Sequence, residues 1–154
     1  MMLAIMLSVI SHPAMLFAGD FDTTIQAYDK GKIAYYISSA IGKYGETEFM
    51  IDTGAGHTAI TRATLNKLRG QVAVQFVKNV SGTLANGSKL ALPLYRVASM
   101  HIGRKCTISD VDVVVLPNAT RNIIGMSALK KVAPFALAVN PPRLMLSNCH
   151  QGAT

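Results

Sequence analysis

Short runs of β-branched and aromatic residues, bounded by glycines and other turn residues, recur along most of the chain. Runs of this kind predict β-strands, and they cover residues 21–28, 32–41, 46–51, 57–60, 71–80, 89–102, 107–116, 135–139 and 143–146. The first of these strands is expected at a sheet edge or at a subunit interface. Many short strands with few helices predict an all-β domain, a small closed barrel.

Two helical segments interrupt the strand pattern. Thr61 is a suitable N-cap for a helix that ends before Gly70. A second short helix is predicted near the C-terminus, over residues 126–132, and Pro134 lies just beyond it. The fold is therefore expected to end with one short helix and a closing hairpin.

A hairpin is predicted in the middle of the chain. Asn86 and Gly87 lie within a Gly-containing segment, residues 82–88, that has apolar strands on both sides. Asn-Gly in this setting is the strongest short-range signal for a β-hairpin.

The first eighteen residues, 1–18, are apolar and uncharged, and Pro13 and polar residues interrupt them. The run is too short and broken to span a membrane, and it resembles a secretory signal peptide cleaved near Ala18. No Lys or Arg precedes the apolar core of this run, as one usually does in a signal peptide. A buried N-terminal strand or a misplaced start is therefore the alternative. We expect a leader at 1–18, an N-terminal segment or pro-region at 19–31, one domain at 32–149, and an exported protein, periplasmic or secreted.

The chain is basic, with 15 Lys and Arg residues, 8 Asp and Glu residues and a net charge of +7. The basic residues occur as scattered pairs without interleaved aromatics, which is typical of a solvated surface rather than of a nucleic-acid interface. An acidic substrate or an anionic membrane face stays compatible with this charge. His101 and His150 have no neighbouring ligands at metal spacing, so neither a metal nor a cofactor is predicted.

Cys106 and Cys149 are the only two cysteines. In an exported protein an even pair suggests a disulfide, and a bridge across so long a loop would stabilise the fold by about 4 kcal/mol. Two free thiols, or a bridge between two chains through Cys149, are the open alternatives.

The residues with the clearest chemistry follow a predicted strand. Residues 49–51, Phe-Met-Ile, lead into Asp52 and a tight turn that contains Gly54. A carboxylate at the end of an apolar strand is held away from bulk water, an environment suited to acid–base chemistry. The Asp-Thr-Gly sequence occurs once, so a reaction that needs two carboxylates would take the second from another copy of the chain. The alternative is an Asp that only hydrogen-bonds in a strand-end turn.

Residues 52–55, Asp-Thr-Gly-Ala, resemble the active-site signature of aspartic proteases. Residues 121–126 resemble the second hallmark of that family, two apolar residues and a Gly before the C-terminal helix. The order of the two motifs, with a hairpin between them, is similar to the single-lobed retroviral-type (retropepsin-like) enzymes and their bacterial relatives. The resemblance covers about residues 32–146.

This resemblance implies a catalytic dyad made of Asp52 from each of two identical subunits. Two neighbouring carboxylates share one proton; the ionised one takes a proton from a bound water and the neutral one polarises the scissile carbonyl. In the family, the Thr equivalent to Thr53 bonds across the dyad to the other loop. Gly54 lets backbone and substrate approach closely, and Ala55 is small enough to line the cleft.

The resemblance also implies supporting residues. Packing behind the acid loop is expected from Ile123, Ile124 and Gly125. The substrate groove is expected to include Gly56, His57, Asn86 and Gly87, the last two at the tip of a hairpin that would close over the peptide as a flap. An ordinary surface hairpin and a structural or solvent-facing His57 are the alternatives.

Gly56 departs from the family pattern, in which Ser or Asp is common directly after the acid motif. It supplies no side-chain oxygen, which weakens the expected substrate clamp without affecting the dyad.

The sequence as a whole thus predicts an aspartic endopeptidase, a hydrolase of protein or peptide substrates that is active as a homodimer with an acidic pH optimum. No nucleic-acid partner and no transmembrane segment after leader removal are expected. A non-catalytic dimeric peptide- or protein-binding module on the same fold is one alternative, and Gly56 points to it. A basic exported protein that binds an anionic polymer or membrane is the other.

Overall fold

The computed structural model describes residues 21–31, 34–83 and 87–149. Within these ranges the strands are β1 (Thr23–Gln26), β2 (Tyr28–Asp29), β3 (Tyr35–Ile41), β4 (Thr47–Ile51), β5 (Thr58–Thr61), β6 (Val74–Thr83), β7 (Lys89–Ile102), β8 (Cys106–Leu116), β9 (Asn122–Ile124), β10 (Phe135–Val139) and β11 (Pro142–Leu146). The helices are α1 (Arg62–Leu68) and α2 (Met126–Leu129), and a 3-10 turn at Lys130–Val132 continues the second. The expected leader at 1–18 lies outside the described residues.

The strands close into a barrel. In the larger sheet the order is β2-β3-β4-β9-β5-β8-β7-β6, and β3 also pairs with β7. Six strands, in the order β3-β4-β9-β5-β8-β7 and back to β3, therefore form a ring without a free edge. The pairs β4–β9 and β5–β8 are parallel and the other pairs in the ring are antiparallel. The predicted all-β class and closed barrel are confirmed.

The barrel interior is filled by alternate residues of its strands. Ile37, Phe49, Ile60, Val113 and Ile124 are completely buried there. Because side chains alternate between the two faces of a strand, the residues next to these lie on the outer face of the barrel. This alternation decides which side chains can reach a surface cleft.

The two helices agree with their sequence signals. The Thr61 hydroxyl accepts a hydrogen bond from the Thr64 backbone N at 3.0 Å, which caps α1, and Gly70 (φ +88°) lies just beyond its end. The helix predicted at 126–132 is α-helical only to Leu129 and then tightens to a 3-10 turn. Such tightening is common in a last helical turn, and the residue before Pro134 is extended, as proline requires. Neither helix in the described ranges is long and apolar enough to cross a membrane.

A small second sheet packs against the barrel. It is antiparallel, with the order β1-β11-β10. The predicted first strand is in fact divided, because Ala27 is buried and donates its N–H to the Pro142 carbonyl O, and the following β2 pairs with β3 instead. Two strands from the segment 19–31 are thus integral parts of the fold.

A disulfide joins this terminal sheet to the barrel. Cys106 begins β8 and Cys149 follows β11; their sulfurs are bonded and their Cα atoms lie 4.7 Å apart. Both cysteines are buried. Nearby, a Cβ placed on Gly103 would lie 2.9 Å from the Ile25 side chain, so β1 packs directly on the β7–β8 turn.

Candidate active site

Asp52 directly follows β4, and backbone hydrogen bonds fix its position. Its own N–H donates to the Ile124 carbonyl O at 3.1 Å, and its carbonyl O accepts from the Ala55 N–H at 3.3 Å. The Gly54 N–H donates to Asp52 Oδ1 at 2.9 Å. The loop therefore orients the carboxylate with one oxygen held by its own backbone.

The start of α2 packs tightly behind this acid loop, which we define as residues 52–57. The Met126 N–H donates to the Ala55 carbonyl O at 2.8 Å. A Cβ added to Gly125 would lie 2.4 Å from the His57 carbonyl O and 2.7 Å from the Ala55 carbonyl O. Only a glycine permits so close an approach of two backbones.

A series of buried hydrogen bonds fixes the C-terminal end of the acid loop. Thr58 is completely buried; its N–H donates to Ser127 Oγ at 2.8 Å, and its Oγ1 accepts from the Gly125 N–H at 3.2 Å. Ser127 Oγ donates in turn to the Asp112 carbonyl O at 2.9 Å. The loop is thus tied to both α2 and β8.

Asn122 is a second buried polar anchor. Its Oδ1 accepts from the Thr61 N–H at 3.0 Å and from Thr64 Oγ1 at 2.9 Å, and its Nδ2 donates to the Glu48 carbonyl O at 3.2 Å. One amide therefore links the strand that leads to Asp52, the end of β5 and helix α1. Sequence reasoning gave this residue no role, although an amide inside an otherwise apolar strand was a usable signal.

Asp52 lines a cleft of about 610 Å³ on the outer face of the barrel. Its floor includes Ile123, Ala59 and Val114, which are neighbours across adjacent strands. The described lining residues are Asp52, Gly54, Ala55, Gly56, His57, Ala59, Val80, Ser81, Gly82, Thr83, Leu92, Val114, Leu116 and Ile123. Asp52 is the only carboxylate among them, and in a single chain it is half-exposed rather than withdrawn from water.

The residues expected to pack behind the acid loop divide into two groups. Ile124 and Gly125 are buried against the loop. Ile123 instead faces the cleft, because it is paired with Met50 and Ala59 on the outer face while its neighbours Asn122 and Ile124 point inward.

The expected groove residues are placed as follows. Gly56 and His57 are exposed and line the cleft, and a Cβ on Gly56 would meet no atom within 4 Å. Thr53 is exposed and forms no hydrogen bond with other described residues. Gly87 has φ +80° and follows the hairpin tip, whereas Asn86 lies outside the described residues.

The hairpin of β6 and β7 forms one wall of the cleft. The two strands pair as far as Thr83 and Lys89, and the β6 residues are mostly exposed. Within the described residues, β6 pairs only with β7, so the hairpin projects from the barrel. Val80, Gly82 and Leu92 from this hairpin line the cleft.

A charged and aromatic cluster lies on and next to β2, β3 and β4, and β4 is the strand that leads to Asp52. Burial raises the pKa of Tyr28 to about 12, assisted by its hydrogen bond to Glu48. Burial alone would raise the pKa of Glu48, but hydrogen bonds from Lys30 and Tyr28 outweigh it and hold that pKa below its usual range. The hydrogen bond from Ser38 and then the Arg104 guanidinium lower the pKa of Glu46 in the same way.

Taken together, a closed barrel, an Asp-Thr-Gly loop at a strand end, a Gly-led helix behind it and a projecting hairpin define a retropepsin-like protein. The sequence profile of the family described as gag-polyprotein putative aspartyl protease matches residues 38–131, and the chain belongs to this family. Its structure is similar to that of a retropepsin-like aspartic protease from Rickettsia conorii, with a TM-score of 0.56 and 22% sequence identity, over 80% of this chain and 88% of that one. A search of curated proteins found no match.

Proposed function

We propose that this protein is an aspartic endopeptidase that hydrolyses peptide bonds as a homodimer, with Asp52 from each subunit in one active site. The observation that carries the proposal is the single carboxylate in the cleft: Asp52 is oriented by the acid loop and faces an open groove, but no second acid among the described lining residues accompanies it. Dyad chemistry needs two carboxylates at one point, and a second copy of the chain supplies the other.

The proposed mechanism uses only the two carboxylates and water. The ionised Asp52 removes a proton from a water molecule, whose oxygen attacks the carbonyl carbon of the scissile bond, while the protonated Asp52 donates to the carbonyl oxygen. Collapse of the tetrahedral intermediate breaks the C–N bond: the carboxyl that took the proton from water gives it to the leaving nitrogen, and the other carboxylate takes a hydroxyl proton from the intermediate as the C=O bond re-forms. Thr53, exposed in one chain, is proposed to bond across the dyad to the second acid loop.

The cleft is suited to an extended peptide. Its floor is apolar, and the β6–β7 hairpin lies at its side as a flap. A flap that closes over a peptide excludes water and adds backbone hydrogen bonds. His57 and Gly56 line the groove at the point where a substrate would pass the acid loop.

We also propose that the protein is exported, to the periplasm or to the medium. The bond between Cys106 and Cys149 supports this location, because structural disulfides persist in oxidising compartments.

Peptide cleavage by the Asp52→Asn variant tests the proposal. A peptide library is incubated with the wild type and the variant at acidic pH, and the products are identified by mass spectrometry. Asp110→Asn is the matched control, since it removes the same charge from an exposed residue whose positive φ (53°) an Asn tolerates. We expect cleavage to vanish in Asp52→Asn and to persist in the control; cleavage that survives in both would refute the assignment.

A non-catalytic peptide-binding module on the same fold is the second candidate, and Gly56 favours it because no side chain is present there to clamp a substrate. Peptides that bind the wild type and Asp52→Asn equally, with no cleavage by either, would establish this alternative.

A further inference from the structure

The floor of the cleft is part of a longer row of side chains on the outer face of the barrel. Residues directly opposed on neighbouring strands present their side chains on the same face of a sheet. The strand pairings place one such row across six strands, and its members are Tyr36, Met50, Ile123, Ala59, Val114 and Leu94. Ile123, Ala59 and Val114 line the cleft, whereas Met50 and Tyr36 do not. The row that floors the cleft therefore continues beyond it to β3.

Arg121 lies at the β3 end of this row. Asn122 points inward and Ile123 outward, so the alternation of side chains places Arg121 on the outer face with Ile123. Arg121 is exposed, and its Nη1 donates to the Tyr36 hydroxyl at 3.3 Å. Tyr36 is only 4% exposed and stacks on Tyr28. A buried tyrosine thus holds the guanidinium in place, and the other guanidinium N–H groups form no hydrogen bond with described residues.

Arg121 has no counter-ion among the described residues. The carboxylate beside it on the outer face belongs to Glu48, which is ion-paired with Lys30 and also accepts a hydrogen bond from Tyr28. None of the ion pairs in the described ranges includes Arg121. A guanidinium binds a carboxylate through two parallel hydrogen bonds, so a carboxylate from a ligand is the partner that suits this position.

Arg121 is close enough to Asp52 for one peptide to contact both. Because β9 runs parallel to β4 with Ile123 beside Met50, Arg121 is level with Glu48, four residues before Asp52. At the rise of a strand, four residues span about 13 Å. An extended peptide covers that distance with about four residues. A peptide held at Asp52 can therefore bring a side chain from one end to Arg121.

We propose that Arg121 makes this protein select peptides that carry an acidic side chain within about four residues of the scissile bond. The guanidinium pairs with the Asp or Glu carboxylate of the substrate, while the row of apolar side chains floors the groove between that contact and Asp52. The inference rests on the proposed function, since it describes which substrates the Asp52 site takes. The net charge of +7 also favours the approach of acidic peptides. Arg121 is a specificity-determining residue and takes no part in the chemical step.

A matched series of peptides tests this selection. A peptide that the wild type cleaves is resynthesised with Glu, Gln or Lys at each of the four positions on either side of the cut. kcat/KM is measured at about pH 5.5, where a free Glu side chain is ionised. At one position the wild type should prefer Glu over Gln by about tenfold, as expected for a hydrogen bond between charged groups. The preference should vanish in Arg121→Gln and change to Lys in Arg121→Glu.

Arg69→Gln is the matched control. The Arg69 Nη2 also donates to a tyrosine hydroxyl, that of Tyr95, at 3.1 Å. Tyr95 follows Leu94 in β7 and therefore lies on the opposite face of the sheet from the row. This variant loses the same charge and the same kind of hydrogen bond, and it should keep the wild-type preference for Glu. Circular dichroism and sedimentation check that all variants are folded and assembled like the wild type.

Peptide binding separates this inference from the proposed reaction. Labelled Glu and Gln peptides are titrated with Asp52→Asn, alone and combined with Arg121→Gln, and binding is followed by fluorescence polarisation. If the wild type cleaves no peptide of a library but Glu peptides bind more tightly only when Arg121 is present, the reaction is overturned and the selection is supported.

Two results would overturn the selection. One is cleavage that requires Asp52 but has the same ratio between Glu and Gln peptides in the wild type and in Arg121→Gln; the proposed reaction would then stand without the selection. The other is an equal loss of cleavage for every peptide in Arg121→Gln, together with dissociation of the dimer in sedimentation. That result would mean that Arg121 contacts the second subunit and not the substrate.

Discussion

Replacing Gly125 by alanine adds one methyl group at the closest approach between the acid loop and α2. The new Cβ would lie 2.4 Å from the His57 carbonyl O and 2.7 Å from the Ala55 carbonyl O. Ordinary close contacts between carbon and carbonyl oxygen are about 3.3 Å. Both oxygens belong to the backbone, so no side-chain rotation relieves the overlap. The acid loop must therefore move away from α2 by about 1 Å.

The expected losses of stability and of cleavage activity follow from that displacement. Overpacking a well-filled site costs about 1–3 kcal/mol, and a backbone clash belongs at the upper end. In a chain of this size, 3 kcal/mol lowers the melting temperature by about 6–12 °C. A shift of about 1 Å in a catalytic group reduces turnover by about 100-fold, so the loss of cleavage should exceed the loss of folded protein.

Thermal melting by circular dichroism and kcat/KM on a cleaved peptide measure the two effects. Gly45→Ala is the matched control: a Cβ there meets no atom within 4 Å, and the residue lies in the β3–β4 turn outside the cleft. It should melt within about 2 °C of the wild type and cleave normally. If Gly125→Ala melts and cleaves like Gly45→Ala, the close approach does not position the acid loop and the reasoning is wrong.

Three further predictions concern residues that stabilise the fold around the site. Asn122→Ala leaves the Thr61 N–H and the Glu48 carbonyl O without their buried partner, and it should lower the free energy of unfolding in urea by about 2–4 kcal/mol; a loss below about 0.5 kcal/mol would contradict the anchoring role. Replacing both Cys106 and Cys149 by Ser should lower that free energy by about 4 kcal/mol and make it insensitive to reductant, whereas an unchanged urea midpoint would show that the disulfide does not secure the terminal sheet. The pKa values of Glu46 and Glu48 are lowered in the folded chain, so these carboxylates stabilise the fold above the ordinary pKa of Glu, and that stabilisation is lost as the pH falls through the lowered pKa values. The melting temperature of Glu48→Gln should therefore fall less steeply from pH 6 to pH 3 than that of the wild type. An identical slope in the two proteins would refute this prediction.

Local signals account for the parts of the fold that the sequence predicted well. The strand at 135–139 has its predicted bounds, and the cap at Thr61 is formed as its side chain allows. These features depend on a few neighbouring residues, on side-chain alternation or on a hydroxyl within reach of an N–H. The position of Asp52 at the end of β4 follows from the same local pattern.

Long-range register accounts for what the sequence did not predict. Ile123 and Ile124 are chemically identical, and only the parallel pairing of β9 with β4 turns the first toward the cleft and the second toward the core. Asn122 has three partners on three different elements, none of them near it in sequence. The division of the first predicted strand between two sheets depends likewise on β11, which pairs with β1 from the far end of the chain, whereas β2 pairs with the neighbouring β3.

A subunit-mixing experiment tests the central claim most directly. Wild type and Asp52→Asn are mixed at constant total concentration, allowed to exchange subunits, and assayed for peptide cleavage at each ratio. If each active site needs one Asp52 from both chains, activity falls with the square of the wild-type fraction, to about one quarter in an equal mixture. A linear fall, to about one half in the equal mixture, would mean that each chain cleaves on its own and would contradict the account.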